Sequence, residues 1–314
     1  MPSAMLTGNI FITGGAGFLA RGIYARARAE AWPCRFTCFS RDAHKHAALR
    51  RDFPEVRLIA GDVAGPLDLL ALALAGHDTL IHAAAYKYVD LAETNVWECI
   101  RTNVLGSLTV AQAAVQAGAK QVVGISTDKA CHSVNIYGST KYQMEKCFQE
   151  ANNWESDTRF HLTRYGNVLA ATGSMVKDWR RKLAEQGYIN ATDPDMTRFW
   201  LSLDQAVDLI LLALSEPAGT ITIPMLPALS MKRMEEYILP AGTRVTYDGM
   251  RPGEKRHEEL LTLEESRFAE DHGAYFRLWP VWHTPRDQML CRYESSQPIR
   301  EMTKAELLEI VGTE

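Results

Sequence analysis

Residues 9–20 read NIFITGGAGFLA, and the reading of this stretch decides the fold. Asn9–Thr13 is a short β-rich run. Gly14-Gly15-Ala16-Gly17-Phe18-Leu19-Ala20 follows, and then a helix-like segment from Arg21 to Ala31. Strand, glycine turn and helix in that order let backbone N–H groups and a helix N-terminus receive a pyrophosphate. Gly14 and Gly17 allow the tight turn and close backbone approach, with Phe18 and Leu19 beside them as further cofactor contacts. Ala20 stands where a third glycine often sits, which a helix tolerates if packing leaves room for one methyl. Glycine turns without nucleotides are common, but this one lies near the N-terminus between a strand and a helix, which points to a dinucleotide.

Downstream the alternation continues. Arg35–Phe39 is a second strand ending at Ser40-Arg41-Asp42. An acidic residue at this strand end accepts ribose hydroxyls, whereas an arginine pairs with a 2′-phosphate. Ser40 and Arg41 come first, with His44 and Lys45 close behind, so NADP is preferred, and Asp42 keeps NAD open. Val56–Ala60 with Gly61-Asp62-Val63 is a third strand and turn, Leu67–Ala75 a helix, and Thr79–His82 a fourth strand. Ala83, Ala84 and Ala85 at its end let a flat cofactor lie against the backbone. Asn95–Ala117 reads as one long helix ended by Gly118, and Asn103 within it is a further cofactor candidate. Short strands alternating with helices predict an α/β fold with a doubly wound parallel sheet.

The fifth strand opens the most polar stretch, QVVGISTDKACHSVNIYGSTKYQMEK at 121–146. An apolar run, Val122–Ile125, delivers Ser126, Thr127, Asp128 and Lys129 at its carboxyl end, where open α/β sheets hold ligands. Tyr137 and Lys141, four residues apart, share a helix face. A tyrosine of ordinary pKa, about 10, is a poor base at neutral pH, and a cation at about 4 Å supplies a term of the size needed to favour the phenolate. Lys141 is the expected cation. Oxidation of an alcohol needs only Tyr137, Lys141 and a hydroxyl from Thr127 or Ser126 on the carbonyl. Asp128 and Lys129 are then a surplus acid and base, suited to an elimination; the alternative for such a pair is a surface salt bridge.

Further on, a basic helical stretch, Met175–Glu185, leads to Met196-Thr197-Arg198-Phe199-Trp200. A helix from Leu203 to Leu214 starts at the N-cap Ser202, and Thr220–Ile223 is a short strand. From Pro224 the alternation stops, so a smaller irregular domain is expected, with Arg251-Pro252-Gly253-Glu254-Lys255 as its most charged loop and Thr303–Glu306 as a capping box. The domain division expected is 1–165 with about 200–223 for the dinucleotide, and about 166–199 with 224–314 for the substrate.

Composition narrows the function classes. The 314 residues are 46% apolar and 23% charged, and 34 Lys and Arg against 38 Asp and Glu give a net charge of -4. That balance offers nucleic acid or an anionic membrane no electrostatic footing as a main partner. Apolar runs are too short to span a bilayer, and the start MPSAMLTGNIFITGG has no leader pattern, so a soluble cytoplasmic protein is expected. The six cysteines are scattered and read as reduced thiols, and no metal is expected.

Gly14–Ala20, His82–Ala85 and the Tyr137/Lys141 pair resemble the extended short-chain dehydrogenase/reductase superfamily. Ser126-Thr127-Asp128-Lys129-Ala130, Tyr165-Gly166-Asn167-Val168, Met196–Trp200 and Arg251–Lys255 resemble, more narrowly, the soluble UDP-N-acetylglucosamine 4,6-dehydratases that invert C5. The resemblance runs from about Asn9 to Glu259, and the Thr-Asp-Lys triplet is its most specific part.

It implies NADP held tightly with no net redox change. It also implies Tyr137 as base at the 4-hydroxyl, Lys129 as base at C5 and Asp128 as acid for the leaving 6-hydroxyl. Arg41 is implied at the 2′-phosphate, Asp62 and Val63 at the adenine, and Lys87 near the cofactor and sugar. Asn167, Thr197, Arg198, Arg251 and Glu254 are implied at the nucleotide sugar, UDP-N-acetylglucosamine or a relative, in a homo-oligomer. Asp90 stands where the family has proline, Cys131-His132-Ser133 replaces a blander linker, and residues 170–194 match loosely. A 4-epimerase, which gives Asp128 and Lys129 no chemistry, and a non-catalytic nucleotide-binding protein are the alternatives.

Overall fold

The computed structural model describes residues 5–169, 175–284 and 291–311; the start of the loosely matching stretch, 170–174, lies outside them. Six strands alternate with helices in the first half: β1 (Gly8–Thr13), β2 (Cys34–Ser40), β3 (Arg57–Ala60), β4 (Thr79–His82), β5 (Gln121–Thr127) and β6 (Arg159–Tyr165). They pair in parallel in the order β3-β2-β1-β4-β5-β6. This is the doubly wound arrangement whose order reverses between β1 and β4, where such sheets hold ligands. The helices between are α1 (Phe18–Ala29), α2 (Ala43–Asp52), α3 (Leu67–Leu74), α4 (Val89–Thr94), α5 (Val96–Ile100), α6 (Gly106–Gln116) and α7 (Ile136–Ala151).

Period-two alternation in the strands feeds two apolar layers. Ile10, Ile12 and Val123 face α1 and the helix Leu203–Ser215, packing on Ile23, Tyr24, Val207 and Ile210. Phe11, Leu80 and Val122 face the opposite side, with Leu70, Leu74, Val110, Met144 and Phe148 of α3, α6 and α7. A third cluster, Leu169, Val176, Trp179, Ile189, Trp200, Leu229, Met234 and Leu307, is the core of a smaller lobe.

Three expectations shift. Helix α1 begins at Phe18 rather than Arg21, because Gly17 already serves as its N-cap. The long helix over 95–117 is interrupted by a π-helical turn at Arg101–Leu105, so α5 and α6 flank one wider turn that carries Asn103 inward. The sheet also extends past β6: Ile221–Pro224 adds in parallel, and Tyr275–Leu278 and Ala269–Asp271 follow antiparallel, making nine strands. The last two come from the stretch expected in the smaller domain. The Ser202 and Thr303 caps form as the sequence suggests.

Candidate active site

Ser126 and Thr127 close β5, and Asp128-Lys129-Ala130 make one 3-10 turn directly after it. Helix α7 then starts from Asn135, whose side chain accepts the Gly138 N–H at 2.7 Å. A Cβ on Gly138 would lie 2.0 Å from the Lys129 carbonyl oxygen, so only glycine lets the first turn of α7 press against the Asp128–Lys129 turn. That contact brings Tyr137 to the surplus pair.

The pair is not at the surface. Asp128 is fully buried and Lys129 one-fifth exposed, with Lys129 Nζ 3.0 Å from Asp128 Oδ1 and 3.3 Å from Glu258 Oε1. The Thr127 hydroxyl donates to the same Asp128 oxygen at 2.9 Å. Burial raises the Asp128 pKa. Burial also pulls on Lys129, but Asp128 and Glu258 outweigh it and hold the ammonium charged.

Tyr137 departs from expectation. Burial pushes its pKa up to about 12, and the cation that opposes this is Lys129, with help from the Thr127 hydroxyl. Lys141 lies on the same helix but is turned inward, 3.0 Å from Met144 Sδ, and burial lowers its pKa to about 8. The structure thus brings Tyr137 to Thr127, Asp128 and Lys129 and leaves the Lys141 ammonium directed at Met144.

The nucleotide turn fits a dinucleotide. Gly14 has φ +66°, and a Cβ there would sit 2.8 Å from the Ala84 nitrogen and 2.9 Å from the Ala83 carbonyl. The turn therefore packs directly on the Ala83-Ala84-Ala85 strand end. No side chain caps α1 and its first turn has no acidic residue, so its N–H donors stay available to a pyrophosphate beside Gly17, Phe18 and Leu19. Arg41 pairs with Glu98 at 2.9 Å and Asp62 at 3.6 Å, while Val63 is buried. Lys87 is solvent-accessible with a pKa lowered by partial burial. Asn103 is buried and fully engaged: its side chain takes the Tyr86 N–H at 2.7 Å and donates to the Tyr86 carbonyl and the Thr140 hydroxyl, both at 3.0 Å. It clamps the loop after β4 to α7.

On the substrate side, Asn167 is half-buried in a short strand paired with Trp200. Thr197 binds His257 Nδ1 at 2.8 Å and Ser295 at 2.7 Å, and Arg198 donates to the carbonyls of Arg256 and Lys255, both at 3.0 Å. These two side chains brace the charged loop. Arg251 is exposed, and Glu254 folds the loop by accepting the Arg251 N–H at 2.9 Å. The loop docks on the catalytic helix through Asn135 Nδ2, which donates to the Gly253 carbonyl at 2.7 Å. His132, in a left-handed conformation (φ +39°), is tied to Glu259 at 2.6 Å.

Sequence reasoning missed Glu258. It is 2% exposed and gathers Lys129 at 3.3 Å, Lys255 at 3.5 Å and Arg198 at 3.9 Å. Its one signal is the Glu258-Glu259 doublet running straight into Leu260-Leu261, an acidic pair entering an apolar strand. Also missed was Arg164, fully buried in β6, which holds Glu145 of α7 at 2.7 Å and Glu265 at 2.8 Å.

A doubly wound sheet, an uncapped glycine-turn helix and a strand-end Thr-Asp-Lys facing a Tyr-x-x-x-Lys helix define a dinucleotide-dependent enzyme scaffold. The polysaccharide biosynthesis protein family matches residues 10–280. The chain belongs to that family, within the extended short-chain dehydrogenase/reductase superfamily. It is 36% identical over 279 residues to a UDP-N-acetylglucosamine 4,6-dehydratase (inverting) of Campylobacter jejuni, covering 87% of this chain and 83% of that one. A UDP-glucose 4-epimerase of Rickettsia bellii is 33% identical over 281 residues, covering 86% and 82%. Among solved structures, Pen from Bacillus thuringiensis superposes with a TM-score of 0.89 at 28% identity over 98% of both chains.

Proposed function

We propose that this protein is a nucleotide-sugar 4,6-dehydratase that acts on UDP-N-acetylglucosamine, inverts C5 and uses NADP. The observation that carries the reading is the buried Asp128–Lys129 pair beside Tyr137. A 4-epimerase has no use for it, and burying two charges costs free energy.

Tyr137 takes the proton of the 4-hydroxyl, with Lys129 and Thr127 favouring the phenolate. The bound dinucleotide contributes a hydride acceptor for C4 and the same hydride for C6. The carbonyl at C4 acidifies the C5 proton, which Lys129 removes, while Asp128 protonates the 6-hydroxyl so that it leaves as water. Both roles need the proton to sit on Asp128 rather than Lys129, and a single transfer across their 3.0 Å contact achieves this. Burial of Asp128 favours that form, and the attraction of Asp128 and Glu258 for the ammonium opposes it, so the transfer belongs to the substrate-bound site rather than the resting pair. A proton then returns to C5 on the opposite face, giving a 4-keto-6-deoxy-β-L-arabino-hexose.

In this reading Gly14, Gly17 and Ala83–Ala85 hold the dinucleotide, Asn167, Arg251 and Glu254 the nucleotide sugar, and Arg251 suits the pyrophosphate. The division between lobes at about 165, with 200–223 returning to the larger one, is supported by the separate smaller core. A cytoplasmic homo-oligomer is part of the same proposal; exposed Leu91, Trp97 and Leu105 support association. Incubation with UDP-N-acetylglucosamine, read by mass spectrometry and NMR, tests the function. A product lighter by one water with inverted C5 is expected, and an isobaric product would establish the epimerase instead.

A further inference from the structure

At the carboxyl end of β2 the Ser40 hydroxyl lies 2.7 Å from Nε2 of His46, in the first turns of α2. The same nitrogen is 3.7 Å from Cys38 Sγ. Three ion pairs lie around this corner, and Lys87 stands within electrostatic reach of Lys45. Arg41 pairs with Glu98 at 2.9 Å, Arg101 with Asp62 at 2.8 Å and Lys45 with Asp42 at 3.3 Å, three cations against three carboxylates. Asp42 is further engaged as the N-cap of α2, accepting the Lys45 N–H at 3.0 Å, which competes with a ribose diol for its carboxylate. Discrimination here turns on Ser40 and on whatever controls its proton.

We propose that His46 is a specificity-determining residue for the dinucleotide, setting through the Ser40 hydroxyl whether this corner favours a 2′-phosphate or a 2′-hydroxyl. The inference rests on the reading of the glycine turn as a dinucleotide site. With a proton on Nε2 the imidazole donates to Ser40 Oγ, and the serine hydrogen is free for a phosphate oxygen. With Nε2 bare, that nitrogen accepts the serine hydrogen, and Oγ offers only lone pairs, which suit the 2′-hydroxyl of NAD. The doubly protonated ring enforces the first arrangement and adds a positive charge beside Ser40.

The groups around the ring separate cleanly by pH. From β2 they are Ser40 and Cys38, whose thiol burial pushes up to about 11, with Tyr24 of α1 behind it and also raised. From the turn and α2 they are Arg41, Lys45 and Asp42, the last held below the usual carboxylate range by the Lys45 N–H. A histidine side chain of ordinary pKa, about 6.5, changes charge between about pH 6.5 and 8.5. His44, exposed on the same turn and two residues from His46, serves as the control.

The test is direct calorimetric binding of NADP and, separately, NAD to the full-length protein stripped of nucleotide, at pH 6.5 and 8.5. Wild type, His46→Gln, Ser40→Ala and His44→Gln are compared, and no sugar is needed. In the wild type the preference for NADP over NAD falls about tenfold from pH 6.5 to 8.5, the weight of one charge-assisted hydrogen bond. His46→Gln loses that fall and retains NAD affinity, which shows it folded; Ser40→Ala also loses the fall, weakens NAD binding because Oγ is gone, and keeps the wild-type circular dichroism; His44→Gln keeps the fall. The phosphate's own ionisation, with a pKa of about 6, is common to all four proteins and runs the other way. A pH response in His46→Gln that tracks the wild type overturns the inference alone. Failure of every protein to bind either dinucleotide overturns the site reading and the inference with it.

Discussion

Lys129 Nζ lies 3.0 Å from Asp128 Oδ1, and the aspartate has no exposure to solvent. A pair so placed can pass one proton between its members, so that one acts as base and the other as acid in an elimination between neighbouring carbons, while Lys129, one-fifth exposed, exchanges with solvent. Asp128→Asn preserves the shape and removes the acid. Water loss from UDP-N-acetylglucosamine should fall by about 10²–10⁴ while oxidation at C4 persists. Lys129→Ala should leave dinucleotide binding intact and stop wash-in of solvent deuterium at C5; undiminished exchange would remove Lys129 as the base.

Glu258 is the second carboxylate on Lys129 and helps hold its ammonium charged. Taking that charge away with Glu258→Gln lowers the Lys129 pKa. The rising limb of C5 exchange against pH should therefore move to lower pH by about one unit or more. A limb that stays in place would show that Glu258 does not set the state of Lys129.

Lys141 has a pKa lowered from 10.5 to about 8 by burial. The unfolded chain therefore binds the extra proton between about pH 8 and 10.5, and wild-type stability gains with pH across that window. Lys141→Met removes the penalty and should stabilise the protein at pH 7 by on the order of 3 kcal/mol, with the gap closing towards pH 10.5. Urea denaturation at several pH values reads this, and equal midpoints at pH 7 would contradict it.

Arg164 is fully buried between Glu145 and Glu265, and its donation to the Leu260 carbonyl at 3.1 Å ties the catalytic helix to the strand Glu259–Leu261. Arg164→Leu strands the Glu145 carboxylate in the core and should cost about 3–5 kcal/mol in urea denaturation. Adding Glu145→Gln should return part of that loss, because the stranded charge is then gone.

Much of the larger lobe was legible in the chain because local rules and tertiary packing agree there. The glycine turn, the strand pattern and the Ser202 cap each follow from neighbours in sequence, and the alternation of strands with helices points to a parallel sheet. The π-helical turn around Asn103 was not legible, since its cause is a set of contacts with Tyr86 and Thr140, distant in the chain. The antiparallel edge strands Ala269–Asp271 and Tyr275–Leu278 were equally hidden: they are short runs that pair with each other, and what joins them to the sheet is Ile221–Pro224, far earlier in the chain.

The sequence by itself determined that a nucleotide turn, a strand-end Thr-Asp-Lys and a Tyr-x-x-x-Lys helix exist, because each is a local pattern with a local physical reason. Tertiary structure alone decided their electrostatics. Whether Asp128 is buried, which cation acts on Tyr137, and that Glu258 stands behind Lys129 depend on groups up to 130 positions apart meeting in a desolvated space. Charge–charge energies there follow distance and burial, and neither is written along the chain.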